Sequence, residues 1–357
     1  MESFTGTRAV SQAIDLASLS DWLSRHVPGY DGPLQIEQFK GGQSNPTYKL
    51  STPTRSYVMR AKPAPVAKLL PSAHAIEREY RVMHALQATA VPVPRMLALC
   101  EDESVMGRAF YVMEFMEGRV FWNPSLPGMT NAERQAIYDE MNRVIAALHQ
   151  VDVNAAGLAD YGRPGNYFER QIGRWTKQYQ ASITTPNPAM DALMAWLPAH
   201  IPASARDERE VSIVHGDYRI DNLMFHPTEA RVIAVLDWEL STLGHPLADF
   251  SYHCMTWHIG NSGVSRGLVG VDLAGLGIPD ELDYVRRYCE RTGRGDVQAM
   301  MRDWNFYLAY NLFRIAAILQ GIAKRVEDGT AASAQAREAG AGARPLAELG
   351  WQFAQRA

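Results

Sequence analysis

The stretch IVHGDYRIDNLMF, residues 213 to 225, runs directly into HPTEARVIAVLDWE, residues 226 to 239, and it constrains the fold more than any other part of the chain. Two Asp, an Asn, a His and an Arg stand here between apolar runs that must enter a core. NLMF and VIAVL flank HPTEAR, whose Pro and polar residues signal a turn, so the segment reads as a β-hairpin. A loop at Pro227–Ala230 pairs His226 with Arg231 and, counting outward, brings Asn222 nearly into register with Asp237. Asp217 lies in the loop that feeds this hairpin. Two carboxylates and a carboxamide then gather at the open end of a short ribbon, an oxygen-rich set that suits Mg²⁺ and leaves room for phosphate. Taken singly, Asp217 and Asp221 are ordinary turn residues and Asn222 an ordinary cap. The set His215, Asp217, Asn222 and Asp237 at these spacings points further.

The remainder of the chain narrows the class. Of 357 residues, 46% are hydrophobic and 21% charged, enough to bury a sizeable core. Lys plus Arg is 35 and Asp plus Glu 39, a formal net charge of −4 that gives no support to a nucleic-acid or membrane-surface role. Cys100, Cys254 and Cys289 are far apart and form no CxxC pair, so disulfides and zinc are not expected and a reducing compartment fits. The N-terminus lacks a basic segment followed by an apolar one, as a secretory signal would have. YLAYNLFRIAAILQGIA, interrupted by Asn311, Arg314 and Gln320, reads as too short and too polar for a membrane span. A soluble, cytoplasmic protein without a membrane partner is expected; oligomeric state cannot be read.

Residues 33 to 62 alternate as three antiparallel strands, LQIEQF, TYKLST and SYVMRAK. SAHAIEREYRVMHALQATA follows as a helix with Ile76, Tyr80, Met83 and Leu86 on one face and Ser72 as its cap. VPVPRMLALC and RAFYVMEFM read as further strands. Beyond them the pattern is mostly helical, and GTAASAQAREAGAGARP, residues 329 to 345, reads as a mobile Ala/Gly-rich loop. The fold class is therefore α+β and two-lobed. A small antiparallel-sheet lobe over residues 1–115 precedes a larger, mostly helical lobe over 116–357, with a cleft between them.

HGDYRIDN followed by VLDWE resembles the catalytic loop and metal motif of the aminoglycoside phosphotransferase and choline kinase group, which shares the protein-kinase-like fold. The wider run through STLGHPLADFSY, with REYRVMHAL upstream, most resembles the phosphotransferases associated with acyl-CoA dehydrogenases. The resemblance covers about residues 30 to 325 and implies an ATP- and Mg²⁺-dependent transfer of phosphate to the hydroxyl of a small molecule. It makes Asp217 the catalytic base and Asn222 and Asp237 the Mg²⁺ ligands. It also makes Asp249 a buried residue that holds the catalytic loop through its backbone. His215 is assigned to packing and hydrogen bonding within the loop. His245 stands where the family pattern has an acidic residue, so that turn is expected to be arranged differently.

In the first lobe the resemblance places Gly41, Gly42, Ser44 and Asn45 near the nucleotide, although Gly-Gly alone is usually only a turn. Arg60 and Lys62 share a strand face and are both candidates for the phosphate contact; the resemblance puts Arg60 at the position of the family's phosphate-binding Lys, with Lys62 as the second candidate. Glu79 is the expected partner of Arg60, with Glu77 facing solvent. Backbone around Glu114 to Met116 would meet adenine, with Met113 at the back of that pocket.

The motifs leave the acceptor open. NYFERQIGRW and the late helix with Tyr310, Arg314 and Gln320 are candidates to line its site. A charge such as Arg314 on an apolar face needs a partner, either an anionic substrate or an internal Asp. The resemblance suggests a hydroxy acid or a hydroxyacyl-CoA. An aminoglycoside or amino-alcohol acceptor, and a nucleotide-binding regulatory protein with little turnover, are the alternatives. No Gly-x-Ser-x-Gly elbow supports a hydrolase. ATP and GTP are not distinguished.

Overall fold

The computed structural model describes residues 6–10, 14–40, 45–63, 75–163, 165–207, 210–261, 266–330 and 334–357. Two compact units emerge: Met1–Val120 with Asn154–Leu158 and Asn222–Ser241, and Phe121–Val153 with Ala159–Asp221 and Thr242–Ala357.

Alternating side chains build the first unit. Strands β1 (Thr7–Arg8), β2 (Gln35–Phe39), β3 (Thr47–Ser51), β4 (Ser56–Ala61), β5 (Met96–Cys100) and β6 (Phe110–Glu114) form one sheet in the order β1-β2-β3-β4-β6-β5. All its pairings are antiparallel. One face, carrying Tyr57, Met59, Ala61, Phe110 and Val112, buries against Leu19, Trp22 and Leu23 of helix α1 (Leu16–His26). Each such large side chain contributes roughly 1.5–3 kcal/mol by leaving water. The opposite face carries Val58, Arg60, Tyr111 and Met113, because β4 and β6 pair Val58 with Met113 and Arg60 with Tyr111. Helix α2 (Ile76–Leu86) packs near β5 and β6, burying Ile76, Val82, Met83 and Leu86 together with Glu79. Tyr80, expected on that face, is only half-buried, and the N-cap position is Ala75; Ser72 lies outside the described residues.

Strand β7 (Arg119–Val120) follows β6 and ends the continuous part of the unit. The second unit is mainly helical. It begins with α3 (Asn131–His149), whose start is fixed by a reciprocal capping box between Thr130 and Glu133. Then come α4 (Tyr167–Gln180), α5 (Pro188–Ala199) and strand β8 (Ser212–Val214).

The hairpin expected from NLMF and VIAVL forms as β9 (Leu223–Phe225) and β10 (Val232–Val235). It belongs to the first unit and not to the residues 116–357 with which the sequence grouped it. The physical reason is pairing: β9 adds to β7, and Val235 donates its N–H to the Pro92 carbonyl at 2.9 Å. Gly118 permits this approach, since a Cβ there would lie 2.6 Å from the Phe225 carbonyl oxygen.

Strand β11 (Thr242–Gly244) returns to pair with β8, and α6 (Pro246–Cys254) follows, buried throughout. Helices α7 (Leu273–Leu276), α8 (Glu281–Thr292), α9 (Val297–Arg302) and α10 (Trp304–Glu327) complete the central packing. Against expectation, α10 is long and apolar enough to cross a membrane by length and composition. Its most apolar window is 67% buried, and it packs on α4, α6, α11 (Ala334–Ala341) and α12 (Ala343–Ala354), as a core helix does. Residues 334–341, expected as loop, are helical; Ala is the strongest helix former, and composition alone hid that.

Candidate active site

In the first unit the charged groups converge on Arg60. Its Nε lies 3.1 Å from Oε2 of Glu79, and its terminal nitrogen lies 3.1 Å from Asp237 Oδ1 and 3.8 Å from Glu239 Oε2. Burial works to lower the Arg60 pKa, and Tyr111, Glu79, Asp237 and Glu239 outweigh it, so the net direction is upward and the guanidinium stays charged. Glu79, almost wholly buried, also accepts from Asn45 Nδ2 at 2.9 Å and from the Tyr111 hydroxyl at 3.2 Å. Burial pushes its carboxyl up to about 7, opposed by Arg60.

The hairpin places the other acid. Phe225 pairs with Val232 in the expected register, and an irregularity then shifts the pairing so that Leu223 faces Val235. Leu236 N–H donates to the Asn222 carbonyl at 2.8 Å, which seats Asn222 beside the residue preceding Asp237. Asp237 has φ 64°, a left-handed conformation that non-glycine residues seldom adopt. That twist ends β10 and starts the short 3-10 turn Trp238–Leu240.

An amide oxygen and a carboxylate at one hairpin end fit Mg²⁺, which is usually held by one or two carboxylates together with substrate phosphates and water. No group of three or more His, Cys, Asp or Glu that could hold a metal occurs among the described residues. Phosphate oxygens and water would complete the sphere.

Several expected partners are placed otherwise. Lys62 pairs with Glu77, which is therefore not simply solvent-facing as expected: one helical residue step from Ile76 brings it alongside the end of β4. Asn45 is fully buried and engaged with Glu79. Gly41, Gly42 and Ser44 lie outside the described residues. Met113 shares the sheet face of Arg60. Glu114 is turned to the opposite face, pairs with Tyr57, and accepts the Arg95 N–H at 2.7 Å through its side chain. Met116, half-buried, follows in the segment between β6 and β7.

In the second unit the loop carrying Asp217 is held mainly through its backbone. Asp249 on α6 accepts from the N–H of His215 at 2.7 Å and of Gly216 at 2.8 Å. Gly216 has φ 83°, which lets the chain turn so tightly that both amides meet one carboxylate. Burial would raise the Asp249 pKa, but His149, His215 and these hydrogen bonds outweigh it, and the net direction is downward. His149 Nε2 lies 3.3 Å from Asp249, its Nδ1 lies 2.7 Å from the Tyr288 hydroxyl, and burial lowers its pKa toward the neutral form. His215 accepts the Asp217 N–H through Nδ1 at 3.2 Å, the packing and hydrogen-bonding role assigned to it. His245 caps α6, accepting from Leu247 N–H at 3.2 Å through Nδ1.

The Asp217 side chain meets two groups that sequence reasoning missed. Arg219 Nε lies 3.3 Å from Oδ1, and the Tyr252 hydroxyl donates to the same oxygen. Tyr252 follows Asp249 by three residues on α6, the spacing that puts both on one helix side, and that signal was present in LADFSY. Arg314 is buried and donates to the Gly216 carbonyl at 2.5 Å, with no Asp within ion-pair distance among the described residues. Gln320 donates to the Ser182 carbonyl at 2.8 Å and lies 3.0 Å from the Thr184 hydroxyl.

Comparison with known proteins adds a family. The sequence model of the phosphotransferase enzyme family matches residues 35–284. A crystal structure of a Ralstonia eutropha protein, provisionally named an aminoglycoside phosphotransferase, is 63% identical with a TM-score of 0.88, covering 97% of this chain and 99% of that one. Acyl-CoA dehydrogenase family member 10 of Mus musculus is 48% identical over 347 residues, 96% of this chain but 32% of that protein. The chain thus spans about a third of that relative's length. An aminoglycoside phosphotransferase crystallised with ADP and hygromycin B is 14% identical with a TM-score of 0.58, covering 94% of this chain and 98% of that one, and it shows the shared fold alone.

Proposed function

This chain belongs to the phosphotransferase enzyme family, and we propose that it transfers a phosphoryl group from ATP, with Mg²⁺, to a hydroxyl of a small molecule. The observation that carries the proposal is Arg60, fixed between Glu79 and Asp237 on the face it shares with Met113. A charged fork pre-set beside a metal-type carboxylate is what binding of a polyphosphate requires. In this reading Arg60 holds phosphate oxygens, Asn222 and Asp237 hold Mg²⁺, and the backbone from Glu114 to Met116 meets adenine. Bound Mg²⁺ would neutralise the charge of the phosphates. Asp217 accepts the proton of the acceptor hydroxyl, held in place by the loop that Asp249 clamps. Positioning and charge neutralisation then supply most of the catalysis. Nucleotide use is supported by the ADP complex of the distant structural relative.

For the acceptor we favour a hydroxy acid or a hydroxyacyl-CoA. The support is that a relative sharing nearly half its residues carries an acyl-CoA dehydrogenase name, over a chain three times as long. An aminoglycoside acceptor is the second reading, favoured by the name of the Ralstonia eutropha protein. A cytoplasmic setting belongs to the same proposal and agrees with three free, buried cysteines. The test is ATP consumption over a panel of hydroxy acids, hydroxyacyl-CoAs, amino alcohols and aminoglycosides. Acceptor-dependent ADP release with the acyl compounds is the expected result. Release confined to aminoglycosides would select the second reading, and release with none would favour a regulatory protein of this fold.

A further inference from the structure

We propose that Tyr252 and Arg314 are positioning residues that fix the Asp217 carboxylate from the helical side, an inference that rests on reading Asp217 as the base. Tyr252 lies on α6, buried, and its hydroxyl donates to Asp217 Oδ1. Arg314 lies on α10, also buried, and its guanidinium donates to the Gly216 carbonyl, one residue before Asp217, at 2.5 Å. The same guanidinium sits over the Tyr252 ring at 5.1 Å and the Trp175 ring at 5.8 Å. One cation therefore holds the backbone of the loop and, through a ring face, the phenol that holds its side chain.

The chemistry explains why these residue types stand here. A buried guanidinium is costly unless anions or ring faces offset its lost hydration, and Asp217 is the carboxylate whose field acts on it. Tyr252 must stay protonated to donate; burial first, and Asp217 second, drive its ionisation well upward, so it remains a donor at any working pH. Asp249 already holds the two amides of His215 and Gly216. Tyr252 adds what those amides do not fix, the direction of the carboxylate itself, and Arg314 holds the adjacent Gly216 carbonyl and the face of the Tyr252 ring. A base displaced by a fraction of an ångström loses much of its rate, because proton transfer depends on alignment.

The test compares Tyr252→Phe, Arg314→Met, Arg314→Lys and Asp217→Asn in full-length protein. MgATP is the substrate, water and any acceptor consumed by the parent protein are the phosphoryl acceptors, and thermal midpoints are measured alongside. Tyr252→Phe should lower turnover on the order of 10- to 100-fold while leaving the Michaelis constant for MgATP within about twofold. Its midpoint should move by no more than about 4 °C, since a single hydrogen bond is lost. Arg314→Met should show the same split between turnover and Michaelis constant, and Arg314→Lys should recover part of the loss. If Arg314→Met does not fold, Tyr252→Phe decides. Parent-like turnover in Tyr252→Phe, or a loss confined to the Michaelis constant, overturns the inference while an inactive Asp217→Asn leaves the base assignment standing. An active Asp217→Asn removes both.

Discussion

The Arg60 cluster and the Asp217 loop are both charged and sheltered, but opposite parts of the chain hold them. Around Arg60 the ties run between side chains: Glu79, Asp237, Tyr111 and Asn45 meet as ionic and polar ends. Around Asp217 the ties run mainly to backbone: Asp249 takes two amides and Arg314 gives to a carbonyl. Side-chain ion pairs can exchange partners when a charged ligand arrives, whereas a clamped backbone cannot move without local unfolding. On the proposed reading, the first region receives charge and the second holds one carboxylate still.

The sharpest way to break this comparison is at the base. Asp217→Asn should lower turnover by about 10²- to 10⁴-fold and leave nucleotide affinity nearly intact, because the change keeps the shape and removes the proton acceptor. Steady-state kinetics on an acceptor found in the panel would check it. Near-normal turnover would end the base assignment.

Next in size is the clamp. Asp249→Ala strands two buried amides and His149, and should cost about 3–5 kcal/mol of stability in urea unfolding. Arg60→Ala should cost clearly less. Equal losses would erase the distinction between the regions.

Acid should act on the second unit first. His245 and His253 are buried and neutral, and burial lowers each from about 6.5 to about 4. The unfolded chain thus takes up protons before the folded one. Their contribution is intact above about pH 6.5 and is lost as pH falls through 4, on the order of a few kcal/mol in total. The thermal midpoint should drop between pH 7 and pH 5, and a His253→Gln variant should lessen the slope. A flat profile would show that these imidazoles do not titrate on unfolding.

The smallest effects separate the two strand cations. Arg60→Ala should lower kcat/KM for ATP by roughly 10²-fold, while Lys62→Ala, which loses the Glu77 pair, should stay within about twofold. Glu79→Ala should resemble Arg60→Ala, and the double variant should lose less than the two combined, since paired groups are coupled. Lys62 essential with Arg60 silent would move the phosphate contact two residues along the strand.

What the sequence made legible follows from periodicity. Strand alternation put Arg60 on the face that meets α2, and the HPTEAR turn fixed the hairpin that joins Asn222 to Asp237. What stayed hidden depends on contacts distant in the chain. Nothing in NLMF or VIAVL says that the hairpin pairs with β7, or that Tyr111 and Asn45 both donate to Glu79. Arg314 stands out in the sequence as a charge on an apolar face, but its partner, the carbonyl of Gly216, carries no side-chain signature. The Ala-rich segment misled because Ala and Gly share a composition class yet differ by about 1 kcal/mol in helix preference.

Calorimetric titration of ATP onto the parent protein and onto Asp237→Ala, each with and without Mg²⁺, tests the central claim most directly. The account predicts Mg²⁺-dependent nucleotide binding by the parent and, in Asp237→Ala, at least about tenfold weaker binding with most of the Mg²⁺ dependence gone. Equal affinity of the two proteins for ATP in the presence of Mg²⁺ would contradict it.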